Sequence, residues 1–208
     1  MDEAAGPFVL ATTNPNKARE IKEIFASYGL TADLLDRPEH VAEVAETEPT
    51  LLGNARLKAK ALVEATGLPA IAEDSGIEVE ALGGAPGVRS ARYAGEPADD
   101  QANVDKVLSE LAGLALPEQR RARFVTMAVA MWPNGREVLA EGVVEGWVVP
   151  GRRGRGGFGY DPVFVPLEGD GRTFGELAEA SPEAKHVLSH RGRAFRALAA
   201  SLASCQGH

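Results

Sequence analysis

Two adjacent carboxylates, Glu73 and Asp74, follow the short apolar run 70–72 and precede Ser75 and Gly76. The apolar run predicts a buried strand over 70–73, and a second strand is predicted over 77–82. Carboxylates at the end of a strand are held in fixed positions, and they suit a divalent cation or the activation of a water molecule. An acidic turn between two strands is the alternative interpretation of the same residues.

The segment 82–93, which comes next, combines glycines with two arginines, Arg89 and Arg92. Guanidinium groups match phosphate oxygens, and glycine lets backbone N–H groups approach those oxygens closely. A metal ion together with a polyphosphate is therefore the first hypothesis for the ligand.

A second candidate anion site lies where the predicted first strand, 8–12, meets the first helix. A helix N-terminus offers N–H groups without intrahelical partners and the positive end of the helix dipole. This junction lacks the glycines and the Lys-Ser/Thr pair of a P-loop, so an ordinary capped turn is the alternative. The candidate residues at the junction are Thr12, Thr13, Asn14, Pro15, Asn16 and Lys17.

The glycine-rich segment 156–162 is the third candidate site. Its glycines, including Gly159, let the backbone approach a ligand, while the rings of Phe158 and Tyr160 offer flat faces on which a base could stack. Asp161 could accept hydrogen bonds from the edge of a base, or it could cap a turn.

The fourth candidate site comprises Lys185, His190 and Arg191. On one continuous helix Lys185 and His190 would lie about 140° apart, which is too far for a common site. If Ser189 instead caps a new helix, both side chains can converge at its start. His190 could then donate to a phosphate or a base, and Arg191 could bind a phosphate. A polar junction between helices is the alternative.

The elements that hold these candidates alternate between strand and helix in the first half of the chain. A turn signal at 133–135 then separates two stretches rich in β-branched residues, which predicts an antiparallel hairpin. The sheet should therefore be mixed, in an α/β fold that forms a single domain over residues 1–208. Helices are predicted at 15–28 (ending near Gly29), at 51–66 after a Thr50 cap, and at 99–111; further strands are predicted at 32–35, 123–132, 137–149 and 162–165.

The composition of the 208 residues disfavours several classes of function. A formal net charge of −8 argues against a protein that coats nucleic acid, because such a protein needs a basic surface. No apolar run approaches the roughly 20 residues needed to cross a bilayer. The N-terminus is acidic, which disfavours a secretory signal, and the single cysteine, Cys205, fits a reducing cytoplasm.

These motifs, taken in order, are similar to those of the inosine triphosphate pyrophosphatase family. The resemblance extends from about residue 10 to residue 198. Each motif alone could arise by chance, whereas all four in this order are highly specific. The motifs are Glu73-Asp74-Ser75-Gly76, 82–93 with Gly95, 157–162 and Ser189-His190-Arg191-Gly192.

The resemblance implies an elongated, two-lobed α/β fold around a long mixed β-sheet with flanking helices, with the nucleotide in a cleft between the lobes. It implies a homodimer that uses Mg²⁺ to hydrolyse inosine, deoxyinosine and xanthosine triphosphates to the monophosphate and pyrophosphate. Such an enzyme removes non-standard purines from the nucleotide pool. A purine nucleoside triphosphate is the expected partner, with no nucleic acid and no membrane, and the expected location is cytoplasmic.

The resemblance also implies roles for individual residues. Asp74 would be catalytic, binding Mg²⁺ and helping to activate the attacking water, and Ser75 would contact the substrate. The triphosphate would be held by Thr12, Thr13, Asn14, Pro15, Asn16 and Lys17. The base and the adjoining phosphates would be held by Phe158, Gly159, Tyr160, Asp161, Lys185, His190 and Arg191.

Two departures from the family pattern bear on the metal. The family commonly has two aspartates where this chain has Glu73 and Asp74, and it often has a glutamate where this chain has Gly53. A further acidic metal ligand usually lies before the second helix. Glu43, Glu46 and Glu73 all remain open as the second metal ligand.

Two other functions are compatible with the same motifs. One is a pyrophosphatase of the same fold that acts on pyrimidine or methylated nucleotides. The other is a sensor that binds a nucleotide without turning it over. Pyrophosphate release measured across a panel of substrates separates all three possibilities.

Overall fold

The fold is an α/β arrangement in a computed structural model that describes residues 7–27 and 34–204. The predicted α/β class is confirmed. The single cysteine, Cys205, lies outside the described residues. The strands are β1 (Phe8–Leu10), β2 (Leu34–Leu35), β3 (Ala70–Val79), β4 (Arg121–Met131), β5 (Glu137–Val148) and β6 (Phe164–Pro166). The helices are α1 (Pro15–Ser27), α2 (Leu51–Thr66), α3 (Asp100–Glu110), α4 (Phe174–Ala180), α5 (Pro182–Leu188) and α6 (His190–Ser204).

The strands of the described residues form one sheet in the order β2-β1-β3-β4-β5-β6. Strand β1 pairs in parallel with both β2 and β3, while β5 pairs with β6 in antiparallel orientation. The neighbours β4 and β5 are joined by the short turn 132–136, as only antiparallel strands can be. The prediction of a mixed sheet with a central hairpin is therefore confirmed.

Strand β3 is longer than predicted, and this changes the setting of the carboxylates. The predicted strands over 70–73 and 77–82 are one strand that runs from Ala70 to Val79, and residues 80–82 form a 3₁₀ turn. The prediction that Glu73 and Asp74 lie at a strand end was therefore wrong. Gly76 does not mark a turn; a Cβ there would lie 2.2 Å from the carbonyl oxygen of Gly87, so glycine permits a close backbone approach.

The predicted helix boundaries agree with the structure where it describes them. Thr50 caps α2 by accepting from the N–H of Gly53, and Gly67 ends the helix with a left-handed φ of 68°. Helices α5 and α6 are separate, because Ser189 is extended between them. The predicted helix end near Gly29 and the start of the strand predicted at 32–35 lie outside the described residues.

The chain divides into two compact units, each with its own core. The first is built from the described residues up to Asp74, from Thr126–Gly142, and from Arg191 onward. The second is built from Ser75–Val125 and Val143–His190. The single domain predicted for 1–208 stays a prediction. No helix within the described ranges is both long enough and apolar enough to cross a membrane.

Both faces of the sheet are covered in the first unit. On one face, Phe8 and Ile71 pack with residues of α1 and α6, such as Ile24 and Phe195. On the other face, alternate residues of the same strands pack against α2; these are Val9, Ala11, Ala70 and Ala72, in contact with a cluster that includes Ala55, Ala59 and Leu62.

Candidate functional site

The alternation of side chains along β3 sends Glu73 and Asp74 to opposite faces of the sheet. Glu73 follows Ile71 on the face that α1 and α6 cover, and Asp74 follows Ala72 on the face that α2 covers. The two carboxylates therefore enter different clusters, and they do not form the adjacent pair that the sequence suggested.

Asp74 lies in a buried cluster with two residues of α2. Its Oδ1 is 3.0 Å from Nζ of Lys58, and its Oδ2 accepts a hydrogen bond from Nδ2 of Asn54 at 3.2 Å. Lys58 Nζ also lies 3.0 Å from Oε1 of Glu46, so one ammonium group joins two carboxylates. We call Asp74, Lys58, Asn54 and Glu46 the Asp74 cluster.

The electrostatics of the Asp74 cluster favour proton uptake by Asp74. Burial raises the pKa of Asp74 above its ordinary value and outweighs the opposing effect of Lys58, while the carboxylate of Glu46 adds to the increase. Burial acts to lower the pKa of Lys58, but Asp74, Glu73 and Glu46 together outweigh it, so the pKa of Lys58 is raised. A charged lysine thus lies beside a carboxylate that takes up a proton more readily than an exposed aspartate does.

Glu73 joins two cations on the other face of the sheet. Its Oε1 lies 3.0 Å from Nζ of Lys17 and 3.3 Å from Nη2 of Arg191. Arg191 also donates through Nη1 to Oε2 of Glu20, at 2.5 Å. Lys17 and Arg191, predicted from distant segments, are therefore brought together by a buried carboxylate.

The junction between β1 and α1 is a capped helix start, as the sequence suggested. Asn14 Oδ1 accepts from the backbone N–H groups of Asn16 and Lys17, at 2.9 and 3.3 Å. The hydroxyl of Thr13 donates to Oε1 of Glu43 at 2.9 Å. A cavity of about 400 Å³ opens at this junction; it is lined by Thr12, Thr13, Asn14, Pro15, Ala18, Asp36, Arg37, Pro38, Glu39 and Val41.

Phe158, Asp161 and Lys185 come together in the second unit. Asp161 Oδ2 accepts from the backbone N–H of Phe158 at 2.9 Å and lies 2.7 Å from Nζ of Lys185, which is 2% exposed. The same ammonium lies 5.0 Å from the centre of the Phe158 ring. Gly157 has a φ of +74°, and a Cβ there would lie 2.1 Å from Asp161 Oδ2, so the loop requires glycine.

Tyr160 and Gly159 make contacts within the second unit. The Tyr160 ring is buried in the core of the second unit, and its hydroxyl donates to the carbonyl of Ser90 at 2.9 Å. The backbone N–H of Gly159 donates to Oδ2 of Asp100 at 3.0 Å. Of the two rings expected to stack on a base, that of Phe158 is partly exposed, whereas that of Tyr160 is packed in the hydrophobic core of the second unit.

His190 and Ser75 are the remaining predicted residues. The imidazole of His190 is 3% exposed and lies parallel to the ring of Phe124, with ring centres 4.4 Å apart and planes 5° apart. Ser75 is partly buried and follows Asp74 directly in β3. The division between the two units falls directly after Asp74 and directly after His190.

The Asp74 cluster contains two carboxylates, a type of ligand that magnesium ions bind. Among the residues that the structure describes, no group of three or more His, Cys, Asp or Glu side chains is arranged to hold a metal. Mg²⁺ needs only one or two protein carboxylates, however, when waters and substrate phosphates complete its coordination. Asp74 and Glu46 supply two such oxygen donors, joined through Lys58.

The three candidates for the second metal ligand differ in their contacts. Glu73 is held by Lys17 and Arg191 on the opposite face of β3, and Glu43 accepts from Thr13. Only Glu46 shares a cation with Asp74 among these contacts, so Glu46 fits the second ligand best.

Sequence reasoning missed Lys58 and Glu20. Both are charged residues on the inner face of a helix: Lys58 lies one turn after the buried Asn54, and Glu20 adjoins the buried Ile21. A charged residue within an apolar stripe needs a partner when it is buried, and that signal could have identified both.

An α/β fold with clustered carboxylates and cations near a helix N-terminus is typical of the class of proteins that handle phosphate-containing ligands. Within that class the chain belongs to the Ham1 family, whose model matches residues 8–201. The family relationship predicted from the motifs is thereby confirmed.

Individual relatives align with this protein over nearly its whole chain. The dITP/XTP pyrophosphatase of Streptomyces coelicolor is 48% identical over 192 residues, which cover 91% of this chain and 94% of the relative. The structure of a HAM1 protein from Coxiella burnetii matches with a TM-score of 0.84 and 37% identity, covering 96% of this chain and 99% of that one. The nucleoside-triphosphatase, or dITP/XTP pyrophosphatase, of Mycobacterium abscessus matches with a TM-score of 0.71 and 41% identity, over 92% and 97% of the two chains.

Proposed function

We propose that the protein hydrolyses non-standard purine nucleoside triphosphates, namely those of inosine, deoxyinosine and xanthosine, to the monophosphate and pyrophosphate. The names of relatives that align with 91% of the chain support this choice of substrate. The observation that carries the chemistry is the buried carboxylate of Asp74, which is held by the ammonium of Lys58 and the side-chain amide of Asn54.

Asp74 is the base of the proposed reaction. One of its carboxylate oxygens accepts a proton from the attacking water. Lys58 keeps its charge next to this carboxylate and orients it together with Asn54. The oxygen of the water bonds to the α-phosphorus while the bond from that phosphorus to the leaving pyrophosphate breaks.

Lys17 and Arg191 supply positive charge for the triphosphate. Lys17, whose side chain is 22% exposed, would exchange its contact with Glu73 for contacts with phosphate oxygens, while Arg191 stays beside Glu73 and adds its charge nearby. Asp74 and Glu46 would hold Mg²⁺. When it is bound, the ion withdraws negative charge from the phosphate oxygens.

The Phe158, Asp161 and Lys185 group is proposed to read the base. The buried ammonium of Lys185 can donate to a carbonyl at purine C6, and the partly exposed Phe158 ring can stack on the base. Adenine has an amino group at that position, so donors would face donors at a cost of about 1–3 kcal/mol for each unsatisfied group. Neither a pyrimidine substrate nor a sensor without turnover gains support from the relatives.

We assign the predicted homodimer to one surface of the second unit. A cavity of about 660 Å³ there combines four glutamates, two arginines and apolar side chains, of which Leu167 is 61% exposed. Charges of both signs around an apolar centre suit a second copy of the same surface. Its lining is Glu78, Glu80, Gly84, Pro117, Glu118, Arg121, Ala122, Arg123, Glu145, Gly146, Trp147 and Leu167.

The test of the dimer surface is the mass of the protein in solution. Leu167→Asp is expected to convert a dimer to a monomer in sedimentation equilibrium, whereas Leu35→Asp, a matched change at another exposed leucine, leaves the mass unchanged. A Leu167→Asp variant that stays dimeric excludes this surface. We further propose a cytoplasmic location, where the nucleotide pool lies, and cell fractionation checks it.

The test of the reaction is a substrate panel with identified products. Inosine, deoxyinosine and xanthosine triphosphates should yield pyrophosphate at least about tenfold faster than adenosine triphosphate, because adenine leaves at least one donor unsatisfied. Thymidine triphosphate tests the pyrimidine alternative and should also react more slowly. A chelator should stop the reaction, and Mg²⁺ should restore it. Release of orthophosphate, or equal rates with all five nucleotides, would contradict the proposal.

A further inference from the structure

The imidazole of His190 lies in an aromatic cluster that consists of Phe124, Phe164 and Phe174. Its ring is nearly parallel to that of Phe124, with ring centres 4.4 Å apart and an interplanar angle of 5°. The ring of Phe174 is farther away, with a centre-to-centre distance of 6.2 Å and an interplanar angle of 28°. Phe124 also makes an edge contact with Phe164, whose ring centre is 4.8 Å away at 73°. All four residues belong to the second unit.

A parallel stack fixes one property of an imidazole, the plane of its ring. The N–H and lone-pair directions of the ring lie in that plane, so the plane decides where the side chain can donate or accept a hydrogen bond. Rotation about the bond between Cβ and the ring changes the plane while the backbone stays in place, and such terminal torsions are broad in the absence of contacts. The flat face of Phe124, 4.4 Å away, restricts this rotation.

The backbone of His190 is fixed separately from its ring. Ser189 ends α5 in an extended conformation, and α6 begins at His190, so the first turn of a helix sets the direction of Cβ. The backbone therefore determines where the imidazole lies, and the aromatic cluster determines how it is turned.

We propose that Phe124 is a positioning residue that orients the imidazole of His190 toward the substrate. The proposal rests on the proposed function and on the contact between His190 and the nucleotide that the family resemblance implies. Phe124 acts through the ring plane of His190, and a side chain of similar apolar volume without a flat face cannot replace it.

The experiment is a double-mutant cycle on the full-length protein. Phe124→Leu keeps an apolar side chain but removes the stack, and it is expected to lower kcat/KM for inosine triphosphate by about three- to tenfold, the range associated with one aromatic contact. In a His190→Ala background the same replacement should change kcat/KM by less than about twofold, because the ring that Phe124 orients is gone.

Phe164→Leu is the matched control. Phe164 packs in the same cluster and is fully buried, so its replacement should lower Tm as much as Phe124→Leu while kcat/KM changes by less than about twofold. An equal loss of kcat/KM in Phe164→Leu, or an undiminished effect of Phe124→Leu in the His190→Ala background, would overturn the proposal.

A second readout separates this proposal from the proposed function. The ring protons of His190 in NMR spectra should lose the ring-current shift of Phe124 and show averaged ring orientations in Phe124→Leu, but a single orientation in Phe164→Leu. If the wild-type protein releases no pyrophosphate from inosine triphosphate, the proposed function fails, and the NMR comparison alone decides the orienting role. A single, unchanged His190 orientation in Phe124→Leu would refute that role whatever the activity.

Discussion

Replacement of Lys58 by methionine tests the Asp74 cluster most sharply. The replacement keeps the length of the side chain but removes the ammonium that joins Asp74 to Glu46. Two carboxylates would then lie close together inside the first unit without the charge that compensates them. Removal of one partner of a buried ion pair costs more stability than replacement of the whole pair by apolar residues, because the remaining charge stays buried without a partner.

The expected size of the effect follows from the exposure of each partner. Removal of one member of a fully buried pair costs about 3–5 kcal/mol in the free energy of unfolding. The side chains of Lys58 and Asp74 are 13% and 7% exposed, but that of Glu46 is 24% exposed and keeps part of its hydration. Asn54 also continues to donate to Asp74. We therefore expect a loss of about 2–4 kcal/mol near neutral pH.

The loss should depend on pH, with a definite sign. The pKa of Asp74 is already raised by burial, and removal of the opposing charge of Lys58 raises it further. A carboxyl group whose pKa is higher in the folded than in the unfolded state favours folding below its unfolded pKa, and this contribution disappears as the pH rises through the folded pKa. The Lys58→Met variant should therefore be least stable, relative to the wild type, at high pH, and the difference should shrink on acidification.

The measurement is urea unfolding at about pH 8 and about pH 5, in the presence of a chelator so that no metal replaces the lysine. Lys60→Met is the control on the same helix, because Lys60 is 67% exposed and its pair with Glu64 at 3.8 Å should contribute less than about 1 kcal/mol. Adding Asp74→Asn to Lys58→Met should recover part of the lost stability. A loss below about 1 kcal/mol, or an equal loss at both pH values, would refute this account of the cluster.

Three further predictions concern activity and the second unit. Asp74→Asn should lower pyrophosphate release from inosine triphosphate at least about a hundredfold while circular dichroism and Tm stay near those of the wild type; near-normal turnover would exclude Asp74 as the base. Lys185→Ala should reduce the preference for inosine over adenosine triphosphate by about tenfold, and unchanged ratios of kcat/KM would show that the base is read elsewhere. Tyr160→Phe should cost about 1 kcal/mol in urea unfolding, because its hydroxyl no longer donates to Ser90, and a neutral change would contradict a role in holding the loop.

Local sequence signals predicted the elements that depend on local chemistry. The Thr50 cap and the helix end at residue 66 were predicted, and the break at Ser189 was one of two alternatives, because each depends on a few neighbouring residues. The meeting of Lys17 and Arg191 at Glu73 could not be derived from spacing, and the family resemblance assigned both residues to the substrate without predicting this shared contact.

The error at β3 has a specific cause. Ser75 and Gly76 are typical of turns, so the pattern predicted a break between two strands. The glycine instead allows the carbonyl of Gly87 to approach, a long-range contact that no local pattern encodes. Once the strand is continuous, the alternation of side chains assigns Glu73 and Asp74 to different faces and therefore to different partners.

Tyr160 shows the same limit in the glycine-rich loop. An aromatic residue beside glycines is compatible with stacking on a ligand and with packing in a core, and only the position of Ser90 decides between these roles. The partner of a buried hydroxyl depends on the tertiary fold, so the sequence pattern indicated stacking and did not indicate the core position of Tyr160.

The most direct test of the central claim is a comparison of products from inosine triphosphate for the wild type and Asp74→Asn in parallel. Ion-exchange chromatography identifies the nucleotide and the phosphate species in one experiment. We predict inosine monophosphate and pyrophosphate from the wild type, and almost no conversion by a folded Asp74→Asn variant. Inosine diphosphate with orthophosphate, or equal conversion by both proteins, would contradict the assignment of Asp74 as the residue that activates water.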